Sequence, residues 1–521
     1  MNFLSVKQDT IGVNIRAQEK AVDIAPAAPG RSETPLSNFR RSLNKSSVMA
    51  DLRDGLVGAH ATISGPYGEK ELVYADYVAS GRALHQIERF MLVEVLPYYA
   101  NSHTEASYCG GFMTRLRRDA RATIGAFCGA TADQHAVIFT GSGATSGINR
   151  LVTLFGVTEA VAAGKRVRII IGPYEHHSNI LPWRECGAEI VEIAEAPTGG
   201  PDLSLLKHAL NNDAADLTIC TLSAASNITG ITSDVAAITA MVKAAGARMI
   251  WDYAGAGPYV PISMSLGDHA EIDAIVVSPH KFIGGPGASG VLILRRDAVS
   301  TRTPSWPGGG TVKFVSPQAH DYSDSLEARE EAGTPNVVGD IRAALAFIVK
   351  DAIGADVMAK RNRELAERAF SAWKDIPQME ILGLSEPQRL PIFSFRVKNE
   401  KSGYVHQQLV TRMLSDRFGI QARGGCACAG PYVHRLLSID EEQSEAIRQA
   451  ILSGDEISKP GFIRLNFSVL LSEEKVQFIL DAVKQIAADA TSFEADYAVD
   501  PSRAIFAPRA EAVEGKAYAQ A

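Results

Sequence analysis

Short, nearly uninterrupted apolar runs alternate along this chain with longer amphipathic stretches. The runs are Ala136–Thr140, Val167–Ile171, Leu217–Leu222, Met249–Asp252, Ala274–Ser278 and Val291–Leu294. Strands apolar on both faces suit a sheet covered by helices on both sides. The stretches between them, Asp234–Ala245 for example, predict those helices, so the alternation predicts an α/β architecture. After Pro335 the texture changes. A long helical segment over Asp340–Trp373 leads into a smaller α+β section, with strands at Ile392–Arg396 and Gly461–Leu465. Residues 1–50 are weakly patterned, with a Pro/Ala stretch at 23–31, and read as an arm. Residues 490–521 are aperiodic and read as a tail. The expected division is an arm 1–50, a large domain 51–340, a smaller domain 341–489 and a tail 490–521.

Composition narrows the function classes. The chain has 521 residues, 46% hydrophobic and 21% charged, with 52 Lys and Arg against 59 Asp and Glu, a formal charge of −7. Such a balance gives no bulk electrostatic reason to bind nucleic acid or an anionic membrane. Six cysteines, of which only Cys426 and Cys428 are close, are too sparse for a disulfide-stapled scaffold and favour a reducing compartment. The first twenty residues lack the apolar core of a secretory signal. No apolar run approaches the roughly 18–20 residues that span a bilayer. A soluble, cytoplasmic protein is expected.

Four motifs carry candidate chemistry. Gly141-Ser-Gly-Ala-Thr-Ser-Gly147 follows a strand and opens a helix, so its backbone N–H groups and hydroxyls suit a phosphate. Asp252 and Ser278-Pro-His-Lys281 close two further strands, at the carboxyl ends where α/β sheets bind ligands. Together, an acid, a histidine and a lysine there suit a pyridine ring and a Schiff base. Glu175-His-His-Ser-Asn179 follows another strand; adjacent histidines point in different directions, and no companion ligands argue for a metal. Gln421-Ala-Arg-Gly-Gly-Cys-Ala-Cys-Ala-Gly430 sets cysteines in a glycine-flanked loop, which reads either as a nucleophile or as a structural thiol. The Gly285-Pro-Gly-Ala-Ser-Gly290 string leads into a strand, which does not suit a dinucleotide fingerprint.

In this order the motifs resemble the class V, fold-type I pyridoxal-phosphate enzymes, and among them the cysteine desulfurase and selenocysteine lyase group, from about Tyr74 to Val483. The resemblance implies a large α/β domain on a mainly parallel, seven-stranded-type sheet, to whose active site or smaller partner domain residues 51–110 contribute. It implies pyridoxal 5'-phosphate as cofactor. Lys281 resembles the Schiff-base lysine of a Ser278-x-His280-Lys281 motif, and Asp252 the partner of the ring nitrogen. Gly143-Ala144-Thr145 is similar to the phosphate loop and His176 to the histidine stacked on the ring. Asn227 and Arg464 resemble residues near the substrate, Arg464 as the partner of its carboxylate. Thr334, in Gly333-Thr-Pro-Asn336, is similar to the segment that reaches a neighbouring subunit's phosphate, which implies a homodimer with shared active sites.

Spacing from Arg423, placed with the substrate-binding residues, selects Cys428 over Cys426 as the family's nucleophile. The implied activity is conversion of L-cysteine, or L-selenocysteine, to L-alanine with a persulfide on Cys428 and a possible protein sulfur acceptor. The alternative is another class V aminotransferase, epimerase or lyase acting on a different amino acid. The chain departs from the family at Gly255, where a glutamine is common, and at Cys426, where a histidine is expected.

Overall fold

Residues Val167–Ile171, Arg248–Asp252 and Ala274–Val277 are buried along nearly their whole length, and they lie within a seven-stranded sheet. In chain order its strands are β1 (His135–Gly141), β2 (Val167–Ile171), β3 (Glu189–Glu192), β4 (Leu217–Ser223), β5 (Arg248–Asp252), β6 (Ala274–Val277) and β7 (Gly290–Arg295). Across the sheet the order is β1-β7-β6-β5-β4-β2-β3. Only β7 runs against its neighbours. The computed structural model describes residues 34–102, 105–211, 215–267, 270–383, 389–400 and 403–510. Residues 1–33 of the expected arm and 511–521 of the expected tail lie outside the described residues.

The period of two explains why these runs are apolar throughout. In β5, Met249 and Trp251 enter the core on one face of the sheet and Ile250 the core on the other. In β7, Val291 and Ile293 alternate in the same way with Leu292 and Leu294. At ~1.5–3 kcal/mol for each large apolar side chain buried, the two cores fix the register of the strands. The edge strand β3, Glu-Ile-Val-Glu, has charged ends and only partly buried apolar residues, and the sequence pattern did not predict it.

The smaller sheet comprises β8 (Met379–Ile381), β9 (Ile392–Val397), β10 (Arg423–Gly425) and β11 (Phe462–Asn466), in the order β8-β9-β11-β10 and antiparallel throughout. Phe393, Phe395 and Trp373 pack at its centre. The helical segment expected over Asp340–Trp373 is two helices, Val337–Ile353 and Ala355–Trp373, broken at Gly354, whose φ is +86°.

An early segment runs from the smaller domain to the end of β6, where the Gly81 N–H donates to the His280 carbonyl (2.9 Å). Val73–Tyr74 pairs in parallel with Ile420–Gln421, and the Asn466 N–H donates to the Ala75 carbonyl (2.9 Å). Residues 34–50 hold more structure than their pattern suggested. Thr34 caps the helix Pro35–Leu43, which buries Leu36, Phe39 and Leu43 in the large core. Beyond residue 490, Tyr497–Asp500 and Ile505–Pro508 form a hairpin, with Tyr497 buried. Among the described residues, no helix is long and apolar enough to cross a membrane.

Candidate active site

The segments that end or follow β1, β2, β4, β5 and β6 converge on one cavity of about 270 Å³, closed on its far side by residues of β10, β11 and the Cys428 loop. Carboxyl ends of parallel strands are the expected place for a ligand site. Every residue proposed from the sequence lines this cavity except Thr334, which is exposed and lies outside it.

The phosphate-loop residues form a cradle. Gly143 has φ +63°, and a Cβ there would lie 2.9 Å from both the Ser278 Oγ and the His280 ring. Beneath it, a Cβ on Gly290 would meet the Gly143 Cα at 2.5 Å. The second glycine string thus lets β7 pass close under the loop. The Ala144 N–H donates to Ser278 Oγ (3.0 Å), and the Thr145 and Ser178 hydroxyls lie 2.7 Å apart. Amides at the start of a twelve-residue helix, with hydroxyls beside them, suit an anionic group.

Asp252 ends β5 in full burial. Its Oδ1 accepts the Ala254 N–H (2.7 Å), and burial raises its carboxyl above the usual range. Lys281 follows β6, is half-buried and lines the cavity. Enclosure pushes its amine down to about 8; Asp252 opposes that shift, while Arg464 and Arg423 add to it. His280 falls to about 4 through burial and the Lys281 charge. Desolvation, with Lys281 and His177 adding, takes His176 to about 4. His176 Nδ1 accepts the Ser178 N–H (3.1 Å), which leaves its ring proton on Nε2.

The turn carrying His176 is anchored from below. Glu175, buried, accepts from the Ser223 N–H and hydroxyl (2.8 Å each) and from Asn179 Nδ2 (2.5 Å). Asn179 Oδ1 accepts in turn from Trp183 Nε1 (3.0 Å) and the Thr221 hydroxyl (2.7 Å). Burial lifts Glu175 to about 7.

On the opposite wall Arg423 and Arg464 stand across from each other in the β10–β11 register. Asp76 lies between them. Its Oδ1 accepts from Arg464 Nη2 (2.9 Å) and its Oδ2 from Arg423 Nε (3.0 Å). Arg464 also donates to the Asn227 carbonyl (3.1 Å). Nothing in the local sequence marks Asp76 beyond its place just after a short apolar pair. Its partners are 347 and 388 residues away along the chain.

Cys428 is exposed, whereas Cys426 is half-buried and does not line the cavity. Ala427 and Cys428 both have left-handed backbone, φ +48° and +54°. Each such residue costs about 1–3 kcal/mol and persists only where its surroundings enforce it. Here Asn227 Nδ2 donates to the Ala427 carbonyl (2.9 Å) and the His177 N–H to the Cys428 carbonyl (2.8 Å).

The family model for aminotransferase class-V matches residues 73–478. The chain belongs to the class-V aminotransferase family. Within that family it is similar to the cysteine desulfurase of Pectobacterium atrosepticum, 30% identical over 370 residues that cover 69% of this chain and 84% of the relative. It is also similar to a probable cysteine desulfurase of Pyrococcus abyssi, 27% identical over 70% of this chain and 87% of the relative. Among solved structures its fold is similar to an apo cysteine desulfurase from Thermococcus onnurineus (TM-score 0.67, 22% identity, 84% of this chain and 98% of that one). The same holds for the cysteine desulfurase CsdA from Escherichia coli (TM-score 0.67, 22% identity, 85% and 98%). The class-V match starts at Val73 and so includes Asp76. The helix Pro35–Leu43 and the hairpin after residue 496 lie outside it and pack onto it.

Class-V enzymes use pyridoxal phosphate, and the residues here fit that group. The cradle suits its phosphate, Asp252 its ring nitrogen and Lys281 its aldehyde. Two buried polar atoms on the cavity wall, Arg464 Nε and Asn227 Oδ1, have no hydrogen-bond partner among the described residues, as expected of groups meant for a ligand.

Proposed function

We propose that this protein is a pyridoxal-phosphate-dependent cysteine desulfurase. It would convert L-cysteine, or its selenium analogue, to L-alanine and take the chalcogen onto Cys428. One juxtaposition carries the reading: an exposed thiol on a strained loop lines the same cavity as Lys281 and Asp252. Aminotransferase or epimerase chemistry needs no such thiol.

Gly143, Ala144, Thr145, Ser278 and His280 would hold the cofactor phosphate, and His176 its ring face. Bound there, the cofactor supplies an electron sink for charge developing at the substrate Cα. Asp252 would keep the ring nitrogen protonated, since a buried carboxylate beside a cation favours the charged form. Arg464, with Arg423 and Asn227 beside it, would orient the substrate carboxylate. Asp76 holds both guanidiniums in place before the substrate arrives.

Lys281 Nζ would anchor the cofactor and then move the Cα proton; an amine near 8 is partly neutral at physiological pH. The Cys428 thiolate attacks the substrate sulfur and a sulfur–sulfur bond forms. The substrate Cβ–S bond breaks, and its electron pair stays with the carbon, which takes up a proton. The products are alanine and a persulfide on Cys428.

Exposure of the Cys428 loop suits delivery to a sulfur acceptor protein. The exposed Gly333–Asn336 segment lies away from its own cavity, which fits the reading that Thr334 completes the phosphate site of a second copy. The small anionic excess and the free cysteines fit a cytoplasmic setting. The test is alanine formation from L-cysteine under reducing conditions by the cofactor-loaded protein. Alanine that disappears in both Cys428→Ala and Lys281→Ala supports the assignment. Alanine that survives Cys428→Ala, or none at all from the intact protein, moves the substrate elsewhere among class-V reactions.

A further inference from the structure

The second histidine of the Glu175-His-His-Ser-Asn179 run has no part in the chemistry above, yet it touches the cysteine loop twice. The His177 backbone N–H donates to the Cys428 carbonyl (2.8 Å), and its ring Nε2 accepts the Gly430 N–H (2.9 Å). Together with Asn227 Nδ2 on the Ala427 carbonyl (2.9 Å), these bonds reach three of the four residues from 427 to 430. Among the described residues, no other residue makes hydrogen bonds that join two points of that loop to the large domain. The ring can accept because it is neutral, and desolvation, with Arg184 adding, lowers its pKa.

His176 and His177 are consecutive, with ring centroids 6.1 Å apart and planes 49° apart. One turn therefore sends one ring into the cofactor cavity and the other to the loop of the nucleophile. That turn is itself fixed by Glu175 and Asn179 in the sheet core. The left-handed pair Ala427–Cys428 needs enforcement from outside; Asn227 holds one of its carbonyls, and His177 holds the other and ties down Gly430 just beyond.

We infer that His177 is a positioning residue that clamps the Cys428 loop to the cofactor turn, presenting the thiol to the cavity. Its effect on turnover rests on the desulfurase reading, whereas the clamp does not. In the cofactor-loaded protein, His177→Ala keeps the backbone bond to Cys428 and loses the ring bond to Gly430. His177→Gln offers an amide oxygen as a replacement acceptor.

The test pairs two measurements on these variants. Hydrogen–deuterium exchange of the peptide spanning Cys428–Gly430 should speed up about tenfold in His177→Ala, the effect of losing one hydrogen bond. It should return most of the way in His177→Gln, with exchange elsewhere unchanged. For alanine formation, kcat should fall about tenfold or more in His177→Ala, with the KM for cysteine and the cofactor absorbance retained, and should recover in His177→Gln. Unchanged exchange in the loop would overturn the clamp, as would loss of cofactor in place of loop order. Faster exchange with normal kcat would overturn the positioning role. If the unmodified protein makes no alanine from cysteine, the desulfurase reading falls, and the exchange measurement still decides the clamp.

Discussion

The cofactor wall and the cysteine wall of the cavity are built from different materials. On the first, Gly143, Asp252, Ser278 and Lys281 sit at or just beyond strand ends of a sheet buried on both faces, and burial shifts the acid and the amine toward each other. On the second, an exposed thiol sits in a left-handed turn, held by a few hydrogen bonds to loops of the first. A group that must keep one geometry through turnover is fixed by the sheet, where moving it would disturb a close-packed core. A group proposed to reach a substrate and then an acceptor stands instead on a strained segment held by a few hydrogen bonds. On the proposed reading, the molecule thus separates where charge is managed from where sulfur would be carried.

The sharpest way to break that separation is to remove one residue from each wall. Lys281→Ala should lower turnover by about 10³-fold or more and abolish the absorbance of a lysine-linked cofactor, read by spectrophotometry. Cys428→Ala should lose sulfur transfer just as fully and yet leave that absorbance and the melting temperature unchanged. If Cys428→Ala also bleaches the cofactor, the two walls are not independent.

Asp76 joins them. Asp76→Ala leaves the buried Arg464 guanidinium without its carboxylate, a loss of about 3 kcal/mol in urea unfolding, with a raised KM for cysteine. Stability equal to the parent protein would mean that Asp76 does not carry the arginine pair. A smaller effect follows from the Lys281 amine near 8. Only the neutral amine attacks an aldehyde, and its fraction grows about tenfold per pH unit below the pKa. Cofactor capture by the apo-protein should therefore accelerate up to about pH 8 and level off above it. A rate still climbing steeply past pH 9 would place the amine in the ordinary lysine range.

Much of the cofactor wall is legible in the sequence because its signals are local. Asp252 and Lys281 end apolar runs, and Gly141–Gly147 follows one. The cysteine wall is only half legible. Arg423 and Cys428 lie within one glycine-rich loop and can be read together, whereas His177 is 253 residues from the Gly430 it binds. Asp76 and Arg464 are 388 residues apart, and no spacing rule connects them. The strand Glu189–Glu192 escaped because an edge strand buries little, and the break at Gly354 because a single glycine does not interrupt an amphipathic pattern. The helix Pro35–Leu43 was hidden by its charged face, although Leu36, Phe39 and Leu43 recur at helical spacing.

The central claim is that the thiol at 428 receives the substrate's sulfur from chemistry set up on the opposite wall. Mass analysis of the Cys428 peptide after a single turnover with L-cysteine, without reductant, tests it directly. The account predicts one added sulfur atom on Cys428 for each alanine formed, and none in Lys281→Ala. Alanine formed in equal amount with Cys428 unmodified would contradict it.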